Sequence, residues 1–288
     1  MRYYQQGVGH PPRLVATNGR EAYDLTSTNA GLDTFFDLAR AARIAKEPID
    51  EIVARHLDDA TAVDEPAGGG LSLPVVPAEV WAAGVTYEIS EAAREAESGM
   101  PEIYLDVYES ERPEIFFKAT PSRIVGPGEA VGVRSDSEWN VPEPELGVVL
   151  LGGEVVGYTI GNDVSSRSIE GRNPLYLPQA KVYDRCCSLG PAVVSATSIG
   201  DPHDLEMSMT ITRDAEVEYE ESTNTGEMVR TCDELVECYT AHQAVPETAV
   251  LLTGTSLVPP ESFTLREGDR VSIEIEGIGT LENDVVDV

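Results

Sequence analysis

Lysine is nearly absent from this chain. Only Lys46, Lys118 and Lys181 are lysines, and Lys and Arg together number 20 against 51 Asp and Glu. The formal net charge of −31 repels nucleic acid phosphates and anionic lipid, so we expect neither nucleic acid nor a membrane as partner. The same charge repels itself unless salt screens it. Together with the preference for arginine, this indicates a halophilic protein; the alternative is an ordinary acidic protein whose acidic runs are solvated faces.

An apolar leader and long hydrophobic runs are also missing. Residues 1–12 contain no apolar segment of the signal-peptide kind, and no run is long enough to span a bilayer. The only cysteines are Cys186, Cys187, Cys232 and Cys238, whose spacing fits no zinc site. We therefore expect reduced cysteines and a cytoplasmic location.

The pattern of apolar residues changes near residue 70. Residues 1–70 predict a small N-terminal α/β domain, with strands at 13–17 and 22–26 and helices at 35–44 and 49–57. Residues 59–73, which include three consecutive glycines, read as a linker.

Residues 71–288 predict a second, mostly β domain, because short β-rich runs alternate with Gly and Pro turns. Helices are expected only at 89–98 and 231–238, so the fold class is α+β. The β-rich runs are 130–134, 146–151, 155–160, 192–194, 205–212 and 270–275.

Three carboxylates in this second domain suggest a metal site. On a strand, Glu143 and Glu145 would point to one side, and Asp163 ends an apolar run as part of Gly-Asn-Asp. Prolines at 142 and 144 predict an edge or irregular strand here. Converging carboxylates suit a hard cation such as Mg²⁺ or Ca²⁺. The alternatives are a solvent-facing acidic edge for the glutamates and a turn-stabilising role for the aspartate.

Two of the scarce lysines follow stiff or aromatic segments. Lys181 ends the run 173–181, which contains two prolines, and Lys118 follows two phenylalanines. Beside a carboxylate–metal centre, a lysine could bind a substrate anion or transfer protons. The alternative for each is a surface lysine.

Four motifs, in this order and spacing, resemble the fumarylacetoacetate hydrolase superfamily over residues 80–280. They are Glu143-Pro-Glu145-Leu, the run 157–167, Lys181 with the later Leu-Gly-Pro, and Leu-Thr-Gly-Thr255. The resemblance implies a mixed β-roll catalytic domain that acts on a small 2-oxo acid and forms a homo-oligomer, a dimer or tetramer.

The same resemblance implies roles for particular residues. Glu143, Glu145 and Asp163 would hold Mg²⁺, or Mn²⁺ or Ca²⁺ in its place. Arg167 and Lys181 match the anion-binding residues of the family, and Thr255 matches a substrate-contacting threonine. Many relatives carry an acidic residue directly after the arginine, where this chain has Ser168.

A second departure concerns the histidine that activates water in hydrolases of this superfamily. Ser90 occupies its position, after the Gly-x-Thr86-Tyr segment. This segment, residues 108–118 and residues 173–181 resemble the archaeal 2-keto-3-deoxypentonate dehydratases, which act on arabinonate and xylonate derivatives. That resemblance implies catalytic roles for Glu114 and Lys181 and substrate contacts for the residues Thr86, Ser90, Lys118, Arg167, Gln179 and Thr255.

The expected function is therefore metal-dependent dehydration of a 2-keto-3-deoxypentonate to 2,5-dioxopentanoate. The alternatives are a C–C hydrolase or decarboxylase acting on an acylpyruvate-like acid, and a non-catalytic metal-binding relative. The missing histidine disfavours the hydrolase, and the complete set of metal and anion ligands disfavours the non-catalytic protein.

The charge composition predicts that stability depends on salt. Raising KCl from near zero to molar concentrations should raise the melting temperature, because screening relieves self-repulsion at a net charge of −31. Thermal unfolding across a KCl series measures this. A melting temperature that stays flat or falls would contradict the halophile interpretation.

Overall fold

The computed structural model describes residues 1–7, 12–66, 70–87, 107 and 110–288. Within them, the strands are β1 (Arg2–Gln6), β2 (Arg13–Thr17), β3 (Ala22–Asp24), β4 (Thr61–Val63), β5 (Leu71–Ser72), β6 (Glu79–Gly84), β7 (Glu114–Ala119), β8 (Ile124–Val125), β9 (Val131–Val133), β10 (Asn140–Val141), β11 (Pro144–Leu151), β12 (Glu154–Asp163), β13 (Ser165–Ser166), β14 (Cys187–Ser195), β15 (Glu206–Arg213), β16 (Glu216–Asn224), β17 (Thr248–Leu252), β18 (Arg270–Ile275) and β19 (Gly279–Asp287).

Helices are few and short. The α-helices are α1 (Phe35–Ala45), α2 (Ile49–Ala54), α3 (Arg167–Glu170), α4 (Leu177–Lys181) and α5 (Cys232–Thr240). Single 3₁₀ turns cover Leu25–Thr28, Pro121–Arg123, Pro174–Tyr176 and Thr225–Glu227. No helix among the described residues is long and apolar enough to cross a membrane.

Two sheets organise the molecule. A 12-stranded sheet runs in the order β4-β3-β2-β1-β14-β12-β11-β17-β6-β7, with β5 beside β1 and β8 beside β14. A five-stranded sheet has the order β16-β15-β18-β19-β9, and β10 pairs with β13 alone. The fold is therefore a mixed α+β arrangement dominated by sheet.

Strand β11 shows how the layers pack, because every one of its residues is buried. Val148 and Leu150 contact a core that also includes Met209 and Ile273 of the small sheet. Val149 and Leu151 belong to the core beneath α1 and α2. Since alternate side chains of a strand point to opposite faces, a strand covered on both faces is apolar throughout.

Most predicted elements are present. The predicted strands coincide with β2, β3, β9, β11, β12, β14, β15 and β18, and the predicted helices with α1, α2 and α5. A capping box between Thr231 and Glu234 fixes the start of α5. The helix predicted at 89–98 lies outside the described residues.

Two local predictions were wrong. The segment 59–73 is not merely a linker, because β4 pairs with β3 and β5 pairs with β1. The strand carrying Glu145 is not an edge strand: β11 lies between β12 and β17. Pro144 is tolerated because it is the first residue of β11, and pairing with β17 begins only at Gly147.

The N-terminal region continues the large sheet, since β1 pairs with β14. The boundary predicted at residue 70 stays a prediction. Asp50 of α2 fastens the helix to this sheet by accepting hydrogen bonds from the Tyr3 hydroxyl at 2.5 Å, Ser195 Oγ at 2.8 Å and Ser198 Oγ at 2.5 Å. Burial raises the pKa of Asp50, but these hydrogen bonds outweigh it, and the net pKa is lowered.

We expect Asp50→Ala to lower the free energy of unfolding by about 2 kcal/mol, because it leaves partly buried hydroxyls without an acceptor. Asp59→Ala, at an exposed position nearby, is the matched control. Chemical denaturation in molar KCl measures both. Because the folded-state pKa of Asp50 is lowered, its contribution is present above the ordinary aspartate pKa and is lost as the pH falls below it. Equal stability of the two variants would contradict the anchoring role.

Candidate metal centre and active site

The three predicted carboxylates come together where β11 begins and β12 ends. Glu143 directly precedes β11, Glu145 is its second residue, and Asp163 is the last residue of β12. The antiparallel register places Glu145 opposite Gly161 and thus brings Asp163 alongside. One oxygen from each carboxylate lies within 4.8 Å of the others, and all three side chains are buried. Buried clustered carboxylates suit a hard divalent cation.

The positive charges around this triad are distributed unevenly. Glu143 pairs with Lys181 Nζ at 2.6 Å and with Arg167 Nη2 at 2.9 Å. Burial raises the pKa of Glu143, but the charges of Lys181 and Arg167 outweigh it and lower the pKa to about 2. No described lysine or arginine forms an ion pair with Glu145, whose Oε2 accepts a hydrogen bond from the Gly254 N–H at 2.5 Å. Burial and the charges of Asp163 and Glu143 raise the pKa of Glu145 well above its ordinary value.

Lys181 lies at the end of α4 with its ammonium directed into the triad. Besides Glu143, Nζ contacts Ser165 Oγ at 2.6 Å and Asp163 Oδ2 at 3.4 Å. Burial lowers the pKa of Lys181, but Asp163 and Glu143 outweigh it and raise the pKa well above its ordinary value. The lysine is therefore cationic when no metal occupies the site.

Lys118 lies beneath the triad. Its fully buried Nζ pairs with Asp163 Oδ1 at 2.5 Å and donates to the carbonyls of Val164 at 2.9 Å and Lys181 at 2.6 Å. These contacts fix both a predicted metal ligand and the backbone that carries Lys181.

Glu114 begins β7, opposite Gly84 of β6. A Cβ at Gly84 would lie 2.0 Å from Glu114 Oε2, so a side chain at this position would displace the carboxyl from where it lies. Burial, followed by the negative charge of Glu170, raises the pKa of Glu114 to about 7. Glu114 is thus available in both protonation states near neutral pH, which suits an acid–base group.

Thr86 connects three segments that border the site. Its Oγ1 donates to the carbonyl of Thr253 at 2.5 Å, and its carbonyl accepts from the Val229 N–H at 2.8 Å. Gly254 has φ +83°, and a Cβ there would lie 2.2 Å from Thr86 Oγ1. Glycine is required here on both grounds.

These elements enclose a cavity of about 350 Å³. Among the described residues, the polar ones that line it are Glu114, Glu143, Glu145, Arg167, Glu170, Lys181, Glu221, Ser222, Thr223, Glu227, Thr255 and Ser256. The cavity thus combines a candidate cation site with both predicted catalytic groups.

The predicted substrate-contacting residues fall into two groups. Arg167 and Thr255 line the cavity. Lys118, Gln179 and Thr86 are not among the described residues that line it: Lys118 and Thr86 are buried behind the wall and Gln179 is exposed. Ser90 lies outside the described residues.

Sequence reasoning missed Glu170 and Ser165. Glu170 lies one helical turn after Arg167, with 4.0 Å between the arginine Nε and the carboxylate. The i, i+3 spacing was the available signal, but one more glutamate carries little information in so acidic a chain. Ser165 follows Asp163 by two residues, lies in β13 opposite Val141 of β10, and its Oγ accepts a hydrogen bond from Lys181 Nζ, a tertiary contact that the sequence does not show.

Comparison with known proteins identifies the family to which this architecture belongs. Residues 79–286 match the C-terminal domain of fumarylacetoacetate (FAA) hydrolase. The chain belongs to the fumarylacetoacetate hydrolase family. The family resemblance predicted from the motifs is thereby confirmed.

Similarity within the fumarylacetoacetate hydrolase family extends over the whole chain. A Haloferax volcanii protein named as a probable 2-keto-3-deoxyxylonate dehydratase is 62% identical over 289 residues, which cover 100% of both chains. The 2-dehydro-3-deoxy-D-arabinonate dehydratase of Saccharolobus solfataricus is 45% identical over 217 residues, 73% of this chain and 72% of that protein. A structure of 2-keto-3-deoxy-D-arabinonate dehydratase complexed with magnesium and 2,5-dioxopentanoate matches with a TM-score of 0.78 and 32% identity, over 100% of this chain and 99% of that one.

Because lysine and arginine pair with Glu143 and not with Glu145 among the described residues, we expect Glu145→Gln to change the stability of the protein in opposite directions with and without metal. Without divalent cations the variant should be more stable than the wild type, because it removes a buried carboxylate that Asp163 and Glu143 repel. With Mg²⁺ at 100 times its dissociation constant the wild type should gain about 2.7 kcal/mol, and the variant much less.

The pH dependence has a definite sign. Because the folded-state pKa of Glu145 is raised, the metal-free wild type loses stability as the pH rises above the ordinary glutamate range, and the variant loses less. Melting curves with EDTA and with MgCl₂ measure both effects, and Glu220→Gln, at an exposed position, is the control. Equal stabilisation of wild type and Glu145→Gln by Mg²⁺ would contradict the assignment of Glu145 as a ligand.

Proposed function

We propose that this protein is a Mg²⁺-dependent dehydratase that converts a 2-keto-3-deoxypentonate to 2,5-dioxopentanoate. The observation that carries the proposal is that one cavity holds the carboxylate triad, Lys181 and Glu114. The identity to two dehydratases and the full-length similarity to one with magnesium and 2,5-dioxopentanoate support it.

The triad fits the proposed metal. Glu143, Glu145 and Asp163 offer oxygen ligands, and burial together with the negative charges of Asp163 and Glu143 raises the pKa of Glu145, a repulsion that a cation would relieve. When bound there, Mg²⁺ would withdraw electron density from the carboxylate and carbonyl of a 2-oxo acid and so acidify the hydrogens at C3.

Glu114 and Lys181 would carry the two proton transfers of the elimination. Glu114, with its pKa near 7, takes a proton from C3. Lys181, which Asp163 and Glu143 hold cationic, gives a proton to the departing C4 hydroxyl, which leaves as water. The C3–H and C4–O bonds break as a C3–C4 double bond forms, and tautomerisation of the C5 alcohol then gives the aldehyde of 2,5-dioxopentanoate.

The other residues have supporting roles in this proposal. Arg167 binds the substrate anion and holds Glu143, and Thr255 contacts substrate. Thr86 and Lys118 act through the residues they hold rather than by touching substrate. Ser90 and Gln179 stay predictions as substrate contacts.

The C–C hydrolase has less support. That reaction would use a histidine base, and none of the described residues lining the cavity is a histidine. A non-catalytic relative would have no use for a partly buried carboxyl with a pKa near 7 in the same cavity as a lysine.

We also propose that the protein works in a salt-rich cytoplasm as a homo-oligomer, a dimer or tetramer. The net charge of −31 supports the first, and the family resemblance supports the second. The decisive assay incubates the protein in molar KCl and Mg²⁺ with both C4 epimers of 2-keto-3-deoxypentonate and with acylpyruvates. Formation of 2,5-dioxopentanoate is expected; cleavage of acylpyruvates alone would overturn the proposed reaction.

Lys181→Arg should lower turnover by roughly two orders of magnitude or more, because arginine keeps the positive charge but cannot exchange a proton at neutral pH. Lys46→Arg is a matched control, since it makes the same change at an exposed lysine. Mg²⁺ affinity should change little. Near wild-type turnover in Lys181→Arg would leave the lysine only as a charge anchor.

Exchange of the C3 hydrogens with solvent deuterium separates the two roles. Where C3 deprotonation is reversible, Glu114→Gln should lose exchange and Lys181→Ala should keep it. The reverse pattern would make Lys181 the base and Glu114 the acid.

A further inference from the structure

One part of the cavity wall comes from elements that carry none of the proposed catalytic groups. Glu221 and Thr223 lie on β16 of the small sheet, Glu227 lies in the following 3₁₀ turn, and Ser256 lies in the loop after β17. We call these four residues the tail wall.

Hydrogen bonds within the tail wall run in one direction. Thr223 Oγ1 donates to Glu227 Oε2 at 3.1 Å, and Ser256 Oγ donates to Thr223 Oγ1 at 2.9 Å. Because a carboxylate can only accept, this order is fixed, and both hydroxyl hydrogens are used. Glu221 likewise accepts from the Tyr219 hydroxyl at 2.9 Å. The wall therefore offers lone pairs and carboxylate oxygens to the cavity, and so it favours a ligand that donates.

The tail wall has a fixed place relative to the metal centre. Ser256 is two residues after Gly254, so the Cα atoms of these two residues are at most about 7 Å apart. The Gly254 N–H donates to the Glu145 carboxylate. Glu227 is two residues before Val229, whose N–H donates to the Thr86 carbonyl. Thr86 Oγ1 in turn donates to the Thr253 carbonyl, next to Gly254. A short ligand held at the triad by its 2-oxo acid head can thus reach the wall with its other end.

We propose that the tail wall selects substrates by their tail: it accepts hydrogen bonds from hydroxyl groups and rejects 2-oxo acids that carry a second carboxylate. The inference rests on the proposed function, since it concerns the far end of the same substrate. The head is common to all 2-oxo acids, so the triad and Lys181 cannot distinguish among them. A carboxylate tail has no hydrogen to donate and would lie beside Glu221 and Glu227, whereas a hydroxyl tail satisfies the acceptors.

Two variants separate hydrogen bonding from charge. Thr223→Val breaks the chain without changing charge, so KM for the 2-keto-3-deoxypentonate should rise roughly tenfold with little change in kcat. Glu227→Gln still accepts from Thr223 but removes one negative charge. Because Glu227 is exposed and molar KCl screens part of its charge, the variant should lower the inhibition constant of oxaloacetate, relative to KM, by roughly two- to fivefold.

Glu220→Gln is the matched control, because Glu220 is exposed on the same strand and is not among the described residues that line the cavity. All assays use molar KCl with Mg²⁺, which screens the field of distant charges. If Glu227→Gln changes the oxaloacetate ratio no more than Glu220→Gln does, charge rejection is wrong. If Thr223→Val, and Ser256→Ala as a second test of the same chain, leave KM unchanged, hydroxyl recognition is wrong.

Failure of the proposed function would be visible separately, as a wild type that forms no 2,5-dioxopentanoate. Calorimetric dissociation constants in the presence of Mg²⁺ would then replace KM and the inhibition constant. Tighter binding of the 2-keto-3-deoxypentonate than of oxaloacetate, reduced in the variants, would uphold the tail wall. Equal binding of both ligands by the wild type would overturn it.

Discussion

The site depends on holding opposite charges together out of water. Removing a charge from water costs several kcal/mol unless a partner lies in contact, so each buried ion here fixes the position of another. Asp163 lies between Lys118 and Lys181, and Glu143 between Lys181 and Arg167. The pairing is complete for two of the three carboxylates. Among the described residues, no lysine or arginine forms an ion pair with Glu145, whose Oε2 accepts a hydrogen bond from the Gly254 N–H, so this is where a divalent cation would relieve the most repulsion.

The fold makes this arrangement possible by covering both faces of the sheet that carries the triad. The helices α1 and α2 pack on one face and the small sheet on the other, which buries β11 completely. The carboxylates lie where β11 begins and pairing with β17 has not yet started. At this end of the strand Glu143 and Glu145 face the cavity. Thr86 connects two segments that border it, because its Oγ1 donates to the Thr253 carbonyl and its own carbonyl accepts from the Val229 N–H. Rigid layers thus position groups whose mutual repulsion would otherwise push them apart.

The sequence predicted the positions of strands and of the residues at their ends better than it predicted which strands pair with each other. The strand period predicted Glu143 and Glu145 side by side, and the run ending in Gly-Asn-Asp predicted Asp163 at the end of a strand. The three carboxylates do cluster and Asp163 ends β12, but Glu143 precedes β11 rather than lying within it. The proline rule failed at β11 because it could not show that the second neighbour starts three residues later. Lys118 and Lys181 were both singled out by scarcity, but only the tertiary structure separates the lysine that lines the cavity from the one beneath it. The tail wall depends on β16 meeting the loop after β17, a contact that no local pattern encodes.

The acidic composition gives the scarce lysines their significance. In a chain of net charge −31, a surface cation adds little in high salt, since exposed pairs are screened. A buried cation is not screened in this way, and its loss would leave a carboxylate unpaired. Two of the three lysines are buried, where salt could not replace their charge, and the compact ammonium can exchange a proton, which the guanidinium of arginine does not do. Two of the three lysines meet at Asp163, so the depletion that marks the surface also marks the site, and a residue's rarity becomes a physical indication of its role.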